Sequence, residues 1–296
     1  MKRAVALGVF DGLHRAHQAV LQEARSKKQE GMTPAAMLFP AHPLTLLRGE
    51  APPLLLTDEE RDAMLRRMGL ELLFTPFEEI HALEPEVFFR EILIDRFNAG
   101  AVCCGYHYHF GANANGDVPL LRRLCDEHGL EISVVPRMEY RGEAISATRI
   151  RAALARGDLA DANAMLGRPF GYTLRVVEGE RIGRALGAPT LNQMFGPGFC
   201  VPKYGVYQSE ALIEGEWRAS VTNIGLRPSV DKQLQLRSET HAPGYEGDIY
   251  GREISVRLLR FLREERRFGS FEELKKQIRR DIEIACGAAE IEKMRE

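Results

Sequence analysis

Apolar positions between residue 4 and about residue 166 fall into short runs separated by stretches with helical spacing, the pattern of a parallel sheet with helical crossovers. The runs at 4–10, 35–39, 71–74, 101–105 and 132–135 read as strands. Helix starts are legible between them. Thr57 with Glu60 makes a capping box, and Pro85 opens a helix running to about Phe97. Two short helices follow at 146–155 and 159–166, and Gly167 with Pro169 closes the second. The boundary falls there, giving domains 1–167 and 168–296.

Beyond Pro169 the texture changes to β-branched and aromatic runs broken by Gly and Pro, at 172–177, 206–213, 217–224, 234–240 and 253–259. These predict a small β-barrel. Glu214-Gly215 signals a hairpin turn, and Ser270 with Glu273 caps a terminal helix to about Cys286 with Leu274, Ile278, Ile282 and Ala285 on one face. The expected fold is an α/β domain followed by a barrel with a terminal helix.

Composition narrows the function classes. The 296 residues are 45% hydrophobic and 28% charged, with a net charge of -2, which provides no global field for DNA or an anionic membrane. No nucleic acid or membrane partner is expected. Met1-Lys2-Arg3 ahead of an apolar run imitates a secretory signal, but Asp11 ends the run; only three residues precede this first strand. No stretch approaches ~18 uninterrupted apolar residues. Five cysteines without C-x-x-C spacing predict buried thiols and a cytoplasmic location.

The first candidate chemistry lies where the first strand gives way to a helix. Gly8, Phe10, Asp11 and Gly12 precede His14 and His17, whose spacing turns both imidazoles toward one phosphate at a helix mouth. The segment G-x-F-D-G-x-H-x-x-H resembles the nucleotide-binding motif of the H-x-G-H nucleotidylyltransferases. In particular it resembles the FMN adenylyltransferase module of bacterial bifunctional riboflavin kinase/FAD synthetases. F-P-A-H-P at 39–43, the F-G-A-N-A-N-G loop at 110–116 and I-S-A-T-R-I-R at 145–151 resemble further motifs of that module, in the same order. The resemblance implies an α/β nucleotidylyltransferase fold in which His14 and His17 stabilise the α-phosphate of ATP. It also implies that Ser146, Thr148 and Arg149 hold the triphosphate and that Asn113 lies in the flavin or nucleotide loop. Ala16 stands where the family has Gly, and Ala147 where it has a second Ser. His107 and His109, read as same-face neighbours on a strand, have the spacing of a metal pair and equally that of two packed or exposed side chains.

In the second half, G-R-A-L-G-A-P-T-L-N at 183–192 resembles a riboflavin kinase segment. Gly183, Arg184, Gly187 and Pro189 would approach the ATP phosphates. Thr190 and Asn192, two apart in an extended segment, face the same way and offer oxygen ligands suited to Mg²⁺. N-I-G-L-R-P at 223–228, with Asn223 in the nucleotide or flavin site, S-E-T-H at 238–241 and E-G-D-I-Y-G at 246–251 complete the resemblance. It implies that Glu239 is the general base. Ala188 replaces the family's Phe, and A-P-G at 242–244 replaces a hydrophobic, aromatic and acidic run.

The expectation is a two-domain enzyme that phosphorylates riboflavin to FMN and adenylylates FMN to FAD, with Mg²⁺ and ATP. A kinase with a weak adenylyltransferase, suggested by Ala16 and Ala147, and a non-catalytic flavin or nucleotide sensor are the alternatives.

Overall fold

The computed structural model describes residues 1–178, 190–228, 234–245, 247–266 and 268–287. The chain divides into two compact units, Met1–Ala147 and Thr148–Glu296.

The first unit is built on five parallel strands, β1 (Arg3–Ala6), β2 (Thr33–Leu38), β3 (Glu71–Phe74), β4 (Ala99–Gly105) and β5 (Glu131–Val135), in the spatial order β3-β2-β1-β4-β5. Between them run α1 (Arg15–Ser26), α2 (Pro43–Arg48), α3 (Asp58–Arg67), α4 (Phe77–Ile80), α5 (Pro85–Val87) and α6 (Val118–His128). A small hairpin, β6 (Glu139–Tyr140) and β7 (Glu143–Ala144), follows. Alternation along β1 sets the layers. Ala4 and Ala6 face Val20, Leu21 and Ala24 of α1, while Val5 and Leu7 face Phe88, Phe89 and Leu93 on the other side. Small side chains on β1 let α1 lie close to the sheet. The strand order reverses between β1 and β4, so the crevice beyond their carboxyl ends is the ligand position of an open α/β sheet.

Three local expectations are revised. The first strand ends at Ala6 rather than Phe10, because Leu7 makes a last ladder bond to Cys103 (2.8 Å) and the chain then bends. The helix expected over 85–97 is α only at Pro85–Val87 and continues as a π-helix, Phe88–Arg96. His107 and His109 are not on a strand: β4 stops at Gly105, and both side chains are exposed in the loop beyond it. Cys103, Cys104 and Cys125 are buried free thiols, Cys200 is also buried, and burial pushes Cys103 up to about 12 and Cys104 up to about 11.

The second unit contains α7 (Ala147–Arg156), α8 (Leu159–Leu166) and a closed barrel of β8 (Phe170–Val177), β9 (Leu191–Met194), β10 (Gly205–Ile213), β11 (Glu216–Pro228), β12 (Leu234–His241) and β13 (Glu253–Arg263). The terminal helix is α9 (Phe271–Cys286). Barrel order is β10-β11-β12-β9-β8-β13, with every pairing antiparallel. The β10–β11 turn places Glu214 and Gly215 at φ 54° and 84°, the left-handed pair that a two-residue hairpin needs. Where the sequence suggests a boundary at 167/168, the compact units divide at 147/148, because α8 is bonded to the barrel. Asn163 of α8 donates to Leu258 O (3.1 Å) and accepts from Phe170 N (2.7 Å).

The barrel interior is unusually polar. Tyr172 Oη meets Ser238 Oγ (2.6 Å), Thr240 Oγ1 meets Thr222 Oγ1 (2.8 Å), and Thr222 Oγ1 meets Ser209 Oγ (2.7 Å). A longer step of 3.4 Å joins Ser238 to Thr240, so one hydroxyl chain ties together β8, β12, β11 and β10.

Candidate active sites

In the first unit, the loop between β1 and α1 holds a strained shape. Phe10 and Leu13 sit at φ 56° and 44°, and Gly12 at 71°. Non-glycine residues in this region cost energy, and such strain persists only where the surroundings over-determine it. Here Phe10, Asp11, Gly12 and Leu13 are all buried, Asp11 Oδ1 accepts from Leu55 N (3.2 Å), and Gln18 donates to Leu13 O (2.8 Å). A Cβ on Gly12 would lie 2.7 Å from Leu55 Cδ1. Leu55 therefore shapes the loop from outside every motif.

The loop delivers His14 as the N-cap of α1, and its Nδ1 accepts from His17 N (3.3 Å). That bond leaves the His14 proton on Nε2, a donor directed away from the helix end. His17 is half-buried, its ring stacked on His14 with centroids 3.6 Å apart and edge-on to Phe10 at 5.4 Å. Burial first, then the neighbouring His14 and more weakly His107, holds His17 well below the usual imidazole range against a raising contribution from the Asp11 backbone. His17 is thus neutral at pH 7. Among the described residues, its buried Nδ1 has no partner at full hydrogen-bond geometry. Two neutral imidazoles at a helix N-terminus form a donor set for an oxyanion.

The remaining expected residues of this unit lie in loops and helix starts. Gly8 sits at the bend after β1. Asn113 is exposed, at φ 54° in the loop that the Phe110–Gly116 bridge closes. Ser146 is half-buried immediately before α7 and belongs to the first unit, while Thr148 and Arg149, in the first turn of α7, open the second. His42 caps α2 by accepting from Leu44 N (3.2 Å), so the F-P-A-H-P segment is a built turn.

In the second unit, register assembles the site. Asn223 of β11 pairs with Glu239 of β12, and Glu239 pairs with Asn192 of β9. Directly paired residues share a face, so the three side chains form one row across three strands. Their sequence neighbours Thr222, Ser238, Thr240 and Gln193 are fully buried, which sets the row on the outside of the barrel. Thr190 stands two residues before Asn192, whose Nδ2 donates to Thr190 O (3.3 Å). Glu239 Oε2 accepts from Arg227 Nε (3.2 Å) and lies 3.2 Å from its Nη2. Gly183, Arg184, Gly187 and Pro189 lie outside the described residues.

Sequence reasoning missed Leu55, Arg227 and Glu265 as site residues. Arg227 stood inside a quoted motif; four residues after Asn223 on one strand, it shares that face, a signal available in the alternation. Glu265 follows β13 and meets the site only through the barrel's closure, which no local pattern encodes.

The FAD synthetase family matches residues 1–149, and the riboflavin kinase family matches residues 166–288. The bifunctional riboflavin kinase/FMN adenylyltransferase of Pseudomonas fluorescens is 33% identical over 96% of this chain and 92% of its own. The protein of the same description from Escherichia coli K12 is 36% identical over 94% and 90%. Among solved structures, a macrolide-efflux protein from Streptococcus pneumoniae superposes with a TM-score of 0.86 at 29% identity, covering 96% of this chain and 93% of that one. Among the described residues no helix is long and apolar enough to cross a membrane. With both family matches in order and relatives spanning nearly its whole length, the chain belongs to the bifunctional riboflavin kinase/FMN adenylyltransferase family.

Proposed function

We propose that the chain carries both activities of its family: phosphorylation of riboflavin to FMN by the barrel unit and adenylylation of FMN to FAD by the α/β unit, each from ATP. The observation that carries the kinase reading is the row of Asn223, Glu239 and Asn192 on adjoining strands. Glu239 takes the proton of the riboflavin 5′-hydroxyl as that oxygen attacks the γ-phosphorus and ADP leaves. Its Oε1 has no partner among the described residues, and one open carboxylate oxygen is what a base requires.

Thr190 and Asn192 suit Mg²⁺ because they are neutral oxygen donors. The Asn192 amide nitrogen is turned to Thr190 O, which leaves its Oδ1 to coordinate. When bound with ATP, the ion neutralises triphosphate charge.

In the α/β unit, an FMN phosphate oxygen attacks the α-phosphorus of ATP and pyrophosphate departs. His14 Nε2 and the neutral His17 donate to the charge that develops there; for the leaving phosphates, the resemblance of I-S-A-T-R-I-R at 145–151 to the family motif implies Ser146, Thr148 and Arg149. Buried free thiols suit a reducing cytoplasm.

Chromatography of a riboflavin and Mg-ATP incubation tests the reading: FMN followed by FAD is expected. FMN alone would mean a silent adenylyltransferase, and neither product would mean a binding protein. Glu239→Gln should cut FMN formation by roughly 10²- to 10⁴-fold while FAD formation from supplied FMN persists. Undiminished FMN formation would remove Glu239 from the mechanism.

A further inference from the structure

Glu265 lies just beyond β13, in the segment leading to α9, yet it reaches across three positions of β11. Its Oε1 accepts from Asn223 Nδ2 (3.1 Å) and pairs with Arg227 Nη1 (2.8 Å). Between those two residues, on the same face, is Gly225, where an added Cβ would sit 2.6 Å from the Glu265 carboxyl carbon. The missing side chain at 225 thus makes the space that the carboxylate fills. Flanking residues anchor the segment. Arg263 forms a bonded ion pair with buried Asp281 of α9 (2.7 Å), and Glu264 pairs with Lys203 (2.7 Å).

The same Arg227 grips Glu239 through Oε2 alone. Its guanidinium is therefore divided between two carboxylates. Burial works against its charge, yet Glu239 and Glu265 together hold it above the usual guanidinium range. Freed from Glu265, the fork would be able to close on both oxygens of Glu239, the bidentate geometry that guanidinium and carboxylate prefer. That would cover Oε1 and weaken the base. Asn223, held by Glu265 through its nitrogen, keeps a buried Oδ1 without a partner among the described residues, beside Glu239 in the register.

We infer that Glu265 is a positioning residue for riboflavin phosphorylation: by holding Arg227 and Asn223 it keeps one oxygen of Glu239 open to the substrate hydroxyl. This rests on the assignment of Glu239 as the base. Among the described residues, the other charged or titratable side chains on this face of β12 are Arg237 and His241, which alternate with Glu239; β9 contributes neutral Asn192.

The test measures kinase kcat and KM on the full chain, for Glu265→Gln and for Glu265→Gln combined with Arg227→Gln. Glu265→Gln should lower kcat on the order of 10-fold with little change in KM for ATP, since a guanidinium closed on both oxygens of the base leaves none for the substrate proton. The double variant should recover part of the lost kcat, because the covering guanidinium is gone. Circular dichroism and FAD formation from FMN establish that each variant is folded. An unchanged kcat in Glu265→Gln, a loss seen in KM for ATP rather than in kcat, or a double variant no faster than the single one overturns the inference. Glu239→Gln, run in parallel, separates the two levels: if it keeps full kinase activity, the base assignment itself has failed.

Discussion

Replacing Gly12 by Ala should damage the α/β unit, and the structure says by how much. Gly12 stands at φ 71°, where an L-residue with a side chain costs about 1 kcal/mol or somewhat more. The new Cβ would also lie 2.7 Å from Leu55 Cδ1 and 2.9 Å from Leu55 Cβ. Leu55 is 1% exposed and cannot swing into solvent, so overpacking adds ~1–3 kcal/mol. The total is about 3 kcal/mol. Gly49 supplies an internal control: its φ is 80° and nothing lies within 4 Å of an added Cβ. Gly49→Ala should therefore cost the backbone part alone, about 1 kcal/mol. At roughly 3 °C per kcal/mol for a unit of this size, the N-terminal transition should fall by about 9 °C for Gly12→Ala and about 3 °C for Gly49→Ala. The chain has one tryptophan, Trp217 in the barrel, so its fluorescence follows barrel unfolding while far-ultraviolet dichroism follows both units. Equal shifts for the two variants would show that Leu55 yields freely and that the loop is not packed as described.

Other consequences can be measured on the same protein. Ala16→Gly should raise adenylyl transfer or tighten ATP if the Ala16 methyl crowds the nucleotide, at a helix cost of about 1 kcal/mol, whereas His17→Ala should lower transfer on the order of 10²-fold; FAD and pyrophosphate formation from FMN and Mg-ATP report both. A fully active His17→Ala would leave the motif carrying fold and not chemistry. Because the folded His17 pKa is depressed below its unfolded value near 6.5, its contribution to stability is present above that pH and is lost as pH falls toward the folded pKa, at no more than about 1.4 kcal/mol per pH unit. His17→Gln should flatten denaturation midpoints across that acidic window, and an unchanged slope would contradict the buried neutral imidazole. Thr222→Val removes the bonds to Ser209 and Thr240 and should destabilise the barrel by about 2 kcal/mol; an unmoved Trp217 transition would deny the hydroxyl chain any weight.

What could be read beforehand follows the range of the interactions. The capping box at Thr57 and Glu60, the helix Leu159–Leu166 with Gly167 behind it, and the strand Glu71–Phe74 all appear as the local pattern predicts, because their signals are complete within a few residues. The π-helix hides because an apolar run announces a helix without declaring its pitch, although the buried positions Phe88, Phe89, Ile92, Leu93 and Phe97 recur every four to five residues. β9 was legible only as an extended segment, since Leu-Asn-Gln-Met has weak strand preference and becomes a strand by pairing with β12 and β8. Family motifs pointed to Asn192, Asn223 and Glu239 one by one, but their adjacency is a property of barrel register. Arg227 and Glu265 carry no motif signal for their pairing, which closes over 38 positions of chain.

Alternation along β12 makes two inheritable traits inseparable. Ser238 and Thr240 belong to the interior hydroxyl chain and Glu239 to the outer row, so a single-residue deletion or insertion between them and the paired strands would turn the acid inward and the hydroxyls out. Such a lineage would lose its fold and its kinase step in one event, leaving no folded, inactive intermediate for selection to repair. Length changes in the exposed turn at Glu214 and Gly215 disturb neither. The barrel can therefore explore new loop lengths at that end over evolutionary time, while β12 can change only by substitution, one side chain at a time.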